Sequence, residues 1–165
     1  MPIPQNPKTP RVPELVAATN APFSLTSATA NISLAVREPT GPGRAVVAEI
    51  ADLMPRSVFL NVENMTSEES SGPYDVYLNL PPNDPPEKHP ELHAGTLPMF
   101  GLFEASRADD KHPPNGLFAQ LNITNLYGAL TASPEWDPGN LRVSFVPRYP
   151  NGPKVRVGRV SVYYA

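Results

Sequence analysis

Proline occupies 23 of the 165 positions of this chain, about three times its average usage. Each proline lacks a backbone N–H and fixes φ, so long helices and uninterrupted central strands are excluded wherever it recurs. Short strands joined by loops are what such a chain can build. Pro2, Pro4, Pro7, Pro10, Pro13 and Pro22 break any periodicity over residues 1–27, which reads as an extended Pro-rich linker. Val12, Leu15 and Val16 are its apolar anchors. Pro81-Pro-Asn-Asp-Pro-Pro86 must be a loop, because such a run cannot donate to a sheet ladder.

Between these interruptions the hydrophobic period is two. Ile32, Leu34 and Val36 alternate with polar or small residues, and Ala45 to Ile50 follows a Gly-Pro-Gly turn. Val58, Leu60 and Val62 mark a third strand; Tyr74, Val76, Leu78 and Leu80 share one face of a fourth. Strand patterns return at Gly95–Ala105, Leu117–Ile123, Leu141–Phe145 and Val155–Val162, with one helical turn expected over Thr124–Leu130. The alternation slips at Gly158-Arg159, which predicts a β-bulge. About eight short strands and almost no helix predict an all-β, antiparallel, jelly-roll-like β-sandwich over residues 28–165, with Pro-rich loops.

Composition narrows the function. Hydrophobic residues make up 40% and charged residues 18%, enough for one domain with a core. A net charge of −3 with no basic stripe argues against a nucleic-acid partner. There is no cysteine, hence no disulfide, thiolate metal site or cysteine nucleophile. No apolar run approaches the ~20 residues of a membrane helix. The N-terminus lacks a basic-then-apolar signal, so any export signal is expected outside this chain and localisation stays open. No Gly-x-Ser-x-Gly elbow, His-Glu-x-x-His pair or phosphate-binding glycine loop is present, and Glu68-Glu69 and Asp109-Asp110 lie in polar loops. Asn31, Asn64 and Asn122 begin glycosylation sequons, two of them in expected strands where the side chain points outward.

Five segments, in order, carry a resemblance. They are Tyr74-Asp-Val-Tyr-Leu-Asn-Leu80, His93-Ala-Gly-Thr-Leu-Pro-Met-Phe-Gly101, Leu121-Asn-Ile-Thr-Asn-Leu-Tyr-Gly-Ala-Leu130, Leu141-Arg-Val-Ser-Phe-Val-Pro-Arg148 and Val155-Arg-Val-Gly-Arg-Val-Ser-Val-Tyr163. Together they resemble the C-terminal domain of the tyrosinase and polyphenol oxidase family, over roughly residues 30–165. The resemblance implies a sandwich that covers the dicopper entrance of a separate copper-binding tyrosinase domain, on the same polypeptide or cleaved from it. Such a domain keeps the oxidase latent, and aid to folding, copper loading or oligomerisation is compatible with that role. No cofactor is expected in this chain, which alone is expected not to be an enzyme. A dicopper centre needs six imidazoles and the chain has three, His89, His93 and His112, the first followed immediately by Pro90.

Within the resemblance the apolar stretch Leu97-Pro-Met-Phe-Gly-Leu-Phe103 stands out. It reads as a strand buried on both sides or, as the family implies, as a segment from which one bulky residue enters the substrate cavity as a placeholder. Met99 and Phe100 suit that role, with Leu97 and Phe103 beside them. The rival reading is a free-standing module that stacks a sugar, or holds a protein partner, with Trp136, Tyr77 or Tyr127. Trp136 also suits a cap on one end of the core.

Overall fold

In a computed structural model that describes residues 13–37, 56–108 and 114–165, alternation in sequence becomes two facing sheets. The strands are β1 (Glu14–Ala18), β2 (Phe23–Leu25), β3 (Ala30–Leu34), β4 (Val58–Met65), β5 (Tyr74–Leu78), β6 (His93–Leu97), β7 (Leu117–Asn122), β8 (Leu141–Pro147), β9 (Val155–Val157) and β10 (Arg159–Tyr164). Helix α1 spans Leu102–Ala105 and α2 spans Thr124–Ala132. One four-stranded sheet has the order β1-β10-β4-β7, the other β3-β8-β5-β6, and β2 pairs with β9 in a small third sheet. Every pairing is antiparallel. The all-β sandwich read from the sequence is the observed architecture.

The inward residues form one core. Leu60, Val62, Val160 and Val162 come from the first sheet; Leu34, Tyr74, Val76, Leu78, Val143 and Phe145 come from the second. Their area leaves water together, at about 25 cal/mol per Å². Phe23 lays its ring 5.8 Å from that of Phe145, which ties the small sheet into the same core.

Several expectations change. Residues 14–18 and 23–25, expected as linker, are strands. Leu15 and Ala17 pair with Tyr163 and Val162, and Phe23 to Leu25 pairs with Val157 to Val155. Pro13 and Pro22 precede β1 and β2 rather than interrupting them, and β1 is an edge strand, where a flanking proline removes no needed donor. The strand expected over Gly95–Ala105 ends at Leu97, because the backbone turns at Pro98 and helix α1 follows. The single helical turn expected at Thr124 is a nine-residue helix; Asn122 Oδ1 accepts from the Thr124 N–H and hydroxyl, and Thr124 Oγ1 accepts from Val58 N–H. The strand expected at Ala45–Ile50 and residues 1–12 lie outside the described residues.

The slip at Gly158 divides what reads as one strand. Gly158 N–H donates to the carbonyls of Glu63 and Asn64, and β9 and β10 then enter different sheets. A Cβ at Gly158 would stand 2.7 Å from Asn64 Cβ, so the crossing needs glycine.

On the outer face of the second sheet, Asp75 of β5 collects three polar side chains from two neighbouring segments, β6 and the residue just past β8. Arg148 donates from Nε and Nη2 at 2.9 and 3.0 Å, Thr96 Oγ1 donates at 2.8 Å, and His93 Nε2 lies 3.1 Å away. The Arg148 hydrogen bonds, opposed by burial and helped by Thr96 and His93, pull the Asp75 carboxyl from 3.8 to about 2. On the first sheet, burial opposes ionisation of Glu63, but Arg159 and Ser161 outweigh it and the carboxyl is lowered.

Two outcomes test this picture. Leu25, fully buried in β2, lies where a linker was expected; Leu25→Ala should cost about 2–5 kcal/mol in urea unfolding, whereas a linker leucine would cost nothing measurable. Because the folded pKa of Asp75 is depressed, the stability it contributes is present above its unfolded value near 3.8 and is lost as pH falls toward about 2. Unfolding midpoints measured across that window should fall more steeply for the wild type than for Asp75→Asn.

Candidate functional site

Between β6 and α1 the chain makes a short arch, Pro98–Gly101, whose two ends are fixed in the core. Leu97, the last residue of β6, and Leu102, the first of α1, are both fully buried. The Leu102 N–H donates to the Met99 carbonyl at 3.2 Å and closes a β-turn with Phe100 and Gly101 at its corners. Met99 has φ 59 and Gly101 has φ 79. No atom lies within 4 Å of where a Gly101 Cβ would be, so glycine serves there for its left-handed φ alone. Met99 adopts that region without being glycine, at a cost of order 1–3 kcal/mol.

The arch separates the two neighbouring candidates. Met99 is 3% exposed and its flexible thioether fills the core, whereas Phe100 is 91% exposed. Phe103 is half-buried, with the Arg107 guanidinium 4.5 Å over its ring. Ser106 Oγ donates to Leu102 carbonyl and accepts from Ser67 N–H at 2.9 Å, pinning α1 to the chain leaving β4. A cleft of about 510 Å³ runs beside the arch, lined by Ser70, Ser71, Met99, Phe100, Phe103 and Glu104.

The aromatic residues of the rival reading are not brought together. Tyr127 is buried, edge-on to Trp136 at 5.6 Å and to Tyr164 at 5.9 Å, with its hydroxyl 2.8 Å from that of Tyr164. Trp136 thereby packs against α2 and the core. Tyr77 lies on the outer face of the other sheet, edge-on to His93 at 5.2 Å. Edge-to-face packing leaves no coplanar row among these three.

The histidines are committed elsewhere. His89 sits between two 3₁₀ turns, not on an α-helix; its Nε2 lies 2.9 Å from Asp84 and its Nδ1 3.0 Å from Glu91, which together raise its pKa. His93 belongs to the Asp75 cluster, and His112 lies outside the described residues. Among the described residues no group of three or more His, Asp or Glu side chains is arranged to hold a metal ion. Three imidazoles in the whole sequence do not fit a dicopper centre. Asn31 accepts a hydrogen bond from Ser144, and Asn64 is exposed with φ 54 at the irregularity in β4.

One feature escaped sequence reasoning. Asp75 and Arg148 lie in two of the five motif segments, 73 residues apart, and their contact is visible only in three dimensions. The motif coincidence itself was the available signal.

The chain is similar to parts of longer known proteins. A tyrosinase of Hahella sp. (strain CCB-MM4) is 27% identical over 153 residues, which are 91% of this chain and 32% of that protein. Among solved structures, a recombinantly expressed latent aurone synthase (polyphenol oxidase) superposes with a TM-score of 0.52 at 14% identity, over 87% of this chain and 25% of that one. The same enzyme from its natural source gives 0.51 at 14% identity, over 87% and 26%. At that identity the structures establish the fold alone. The chain thus spans about a third or less of the length of the relatives it matches. Residues 12–165 match the family described as Domain of unknown function (DUF7868), and the chain belongs to that family, as a domain similar to one part of much longer tyrosinase and polyphenol oxidase relatives.

Proposed function

We propose that this chain is the C-terminal shielding domain of a tyrosinase-type copper oxidase, seated over the substrate entrance of the catalytic domain with Phe100 in the cavity. The observation that carries this reading is the arch: a phenylalanine 91% exposed, held out by a turn whose neighbours are buried. Leaving such a ring in water forgoes about 1.5–3 kcal/mol of burial, and the strained φ at Met99 adds to that cost. A partner surface that takes the ring recovers the burial, and the strain at Met99 is the cost of holding the ring out. A phenyl group matches the flat apolar body of a phenolic substrate, so Phe100 occupies the place a substrate would need.

The mechanism of this chain is steric. Leu97, Met99 and Leu102 anchor the arch, the arch holds Phe100, and the sandwich behind it blocks entry of bulk phenols and water. The dicopper centre, which supplies the oxidative chemistry, belongs to the catalytic domain. The matched aurone synthase structures are of latent enzyme, and latency is what such a placeholder would impose. The sugar-binding alternative draws no support from Trp136 and Tyr127, which pack edge-on against each other.

In the oxidase polypeptide that carries this domain, Phe100→Ala should raise phenol-oxidising activity before any activation step. Loss of the ring's burial predicts a gain of about tenfold or more. The isolated chain should keep its stability within about 0.5 kcal/mol, because the side chain is exposed. An unchanged, still latent oxidase would rule out Phe100 as the placeholder.

A further inference from the structure

We propose that Tyr149 is a second aromatic anchor of the face that presents Phe100, and that the occupant of this face is the catalytic domain of the same oxidase. The inference rests on the shielding reading above and extends it from one residue to a surface. A stable interface buries roughly 800 Å² on each partner. One phenylalanine supplies at most about 200 Å² of that. The seat of the arch must therefore continue onto its neighbours.

The neighbour is identified by contact. Ser70 and Ser71 line the cleft beside Phe100, and the next residue, Gly72, lies under the ring of Tyr149. A Cβ added at Gly72 would stand 3.0 Å from Tyr149 Cδ2, so the missing side chain lets the ring rest close on the backbone. Tyr149 is nevertheless 66% exposed. Its predecessor Arg148 is held by two hydrogen bonds to Asp75 and by its N–H to the Pro73 carbonyl, so the position of Tyr149 is set before any partner arrives. Pre-set side chains lose little entropy on docking. Along the chain from the cleft to Tyr149 the residues are uncharged Ser70, Ser71 and Gly72. Glu104, which also lines the cleft, and Arg107 over Phe103 place charge at the margin of the face, the pattern of an aromatic centre with a polar rim. Of the other large apolar side chains exposed among the described residues, Leu15 and Phe118 sit on β1 and β7, the edge strands of the other sheet. The occupant follows from length: in the matched relatives this domain is 25–32% of the polypeptide, and the remainder is the partner always at hand.

Hydroxyl-radical footprinting of the 165-residue chain alone and of the intact oxidase carrying it tests the proposal. Phe100 and Tyr149 should both react in the isolated chain, and both should be protected several-fold in the intact protein. Added in trans to the catalytic domain, the Tyr149→Ala chain should inhibit with an apparent Kd about tenfold weaker yet still inhibit at saturation, the size of loss typical of an interface anchor. The Phe100→Ala chain should leave residual activity at saturation. Protection of Phe100 with Tyr149 still reactive, or an unchanged Kd for Tyr149→Ala, would overturn the anchor and leave the shielding reading standing. Protection of neither residue would overturn both. Protection that rises with concentration of the isolated chain would assign the face to a second copy and overturn the proposed occupant.

Discussion

Leu60, Val62, Val160 and Val162 from one sheet and Tyr74, Val76, Val143 and Phe145 from the other leave water only when the two sheets meet. Neither sheet is stable with that face open, and the apolar layer between them sets every other feature. It holds β1 and β2 against the body of the domain, although both lie in a proline-studded stretch. It also buries Leu97, Met99 and Leu102, without which the segment between β6 and α1 would have no reason to turn outward.

The surface features depend on that frame in two ways. Carboxylates on the outer faces, Asp75 in one sheet and Glu63 in the other, are each held by an arginine from a different strand or from just beyond one. These pairs lock the register of strands whose pairing the core already favours. The arch uses the frame differently. By fixing both of its ends, the core forces the exposed residue to be Phe100 and the buried one to be Met99, which turns a run of apolar residues into one anchored and one projecting side chain.

The legibility of this chain in sequence followed the range of the physics involved. Alternation at Val58–Val62 and Tyr74–Leu78 reports burial of one face, a local property, and those strands lie where the period places them. The slip at Gly158 was visible as a break in alternation, but its consequence, a move between two sheets, depends on the distant Glu63 and Asn64. The stretch 14–25 looks like a linker by its proline content, yet Pro13 and Pro22 flank β1 and β2 and interrupt neither. Over Gly95–Ala105 apolar residues on consecutive positions look like a doubly buried strand, while a left-handed φ at Met99 and Gly101 resolves them into strand, arch and helix.

By itself the sequence determined the fold class, the family resemblance and a histidine count of three, short of the six imidazoles a dicopper centre needs. All three depend on residue counts, periods and ordered motifs that a chain carries before it folds. Only the tertiary structure decided between Met99 and Phe100, brought Asp75 to Arg148, turned Tyr127 and Trp136 edge-on, and laid the ring of Tyr149 against Gly72. The reason is that exposure and contact between residues far apart in the chain come from how the sheets pack, and neither has a signature at any one position.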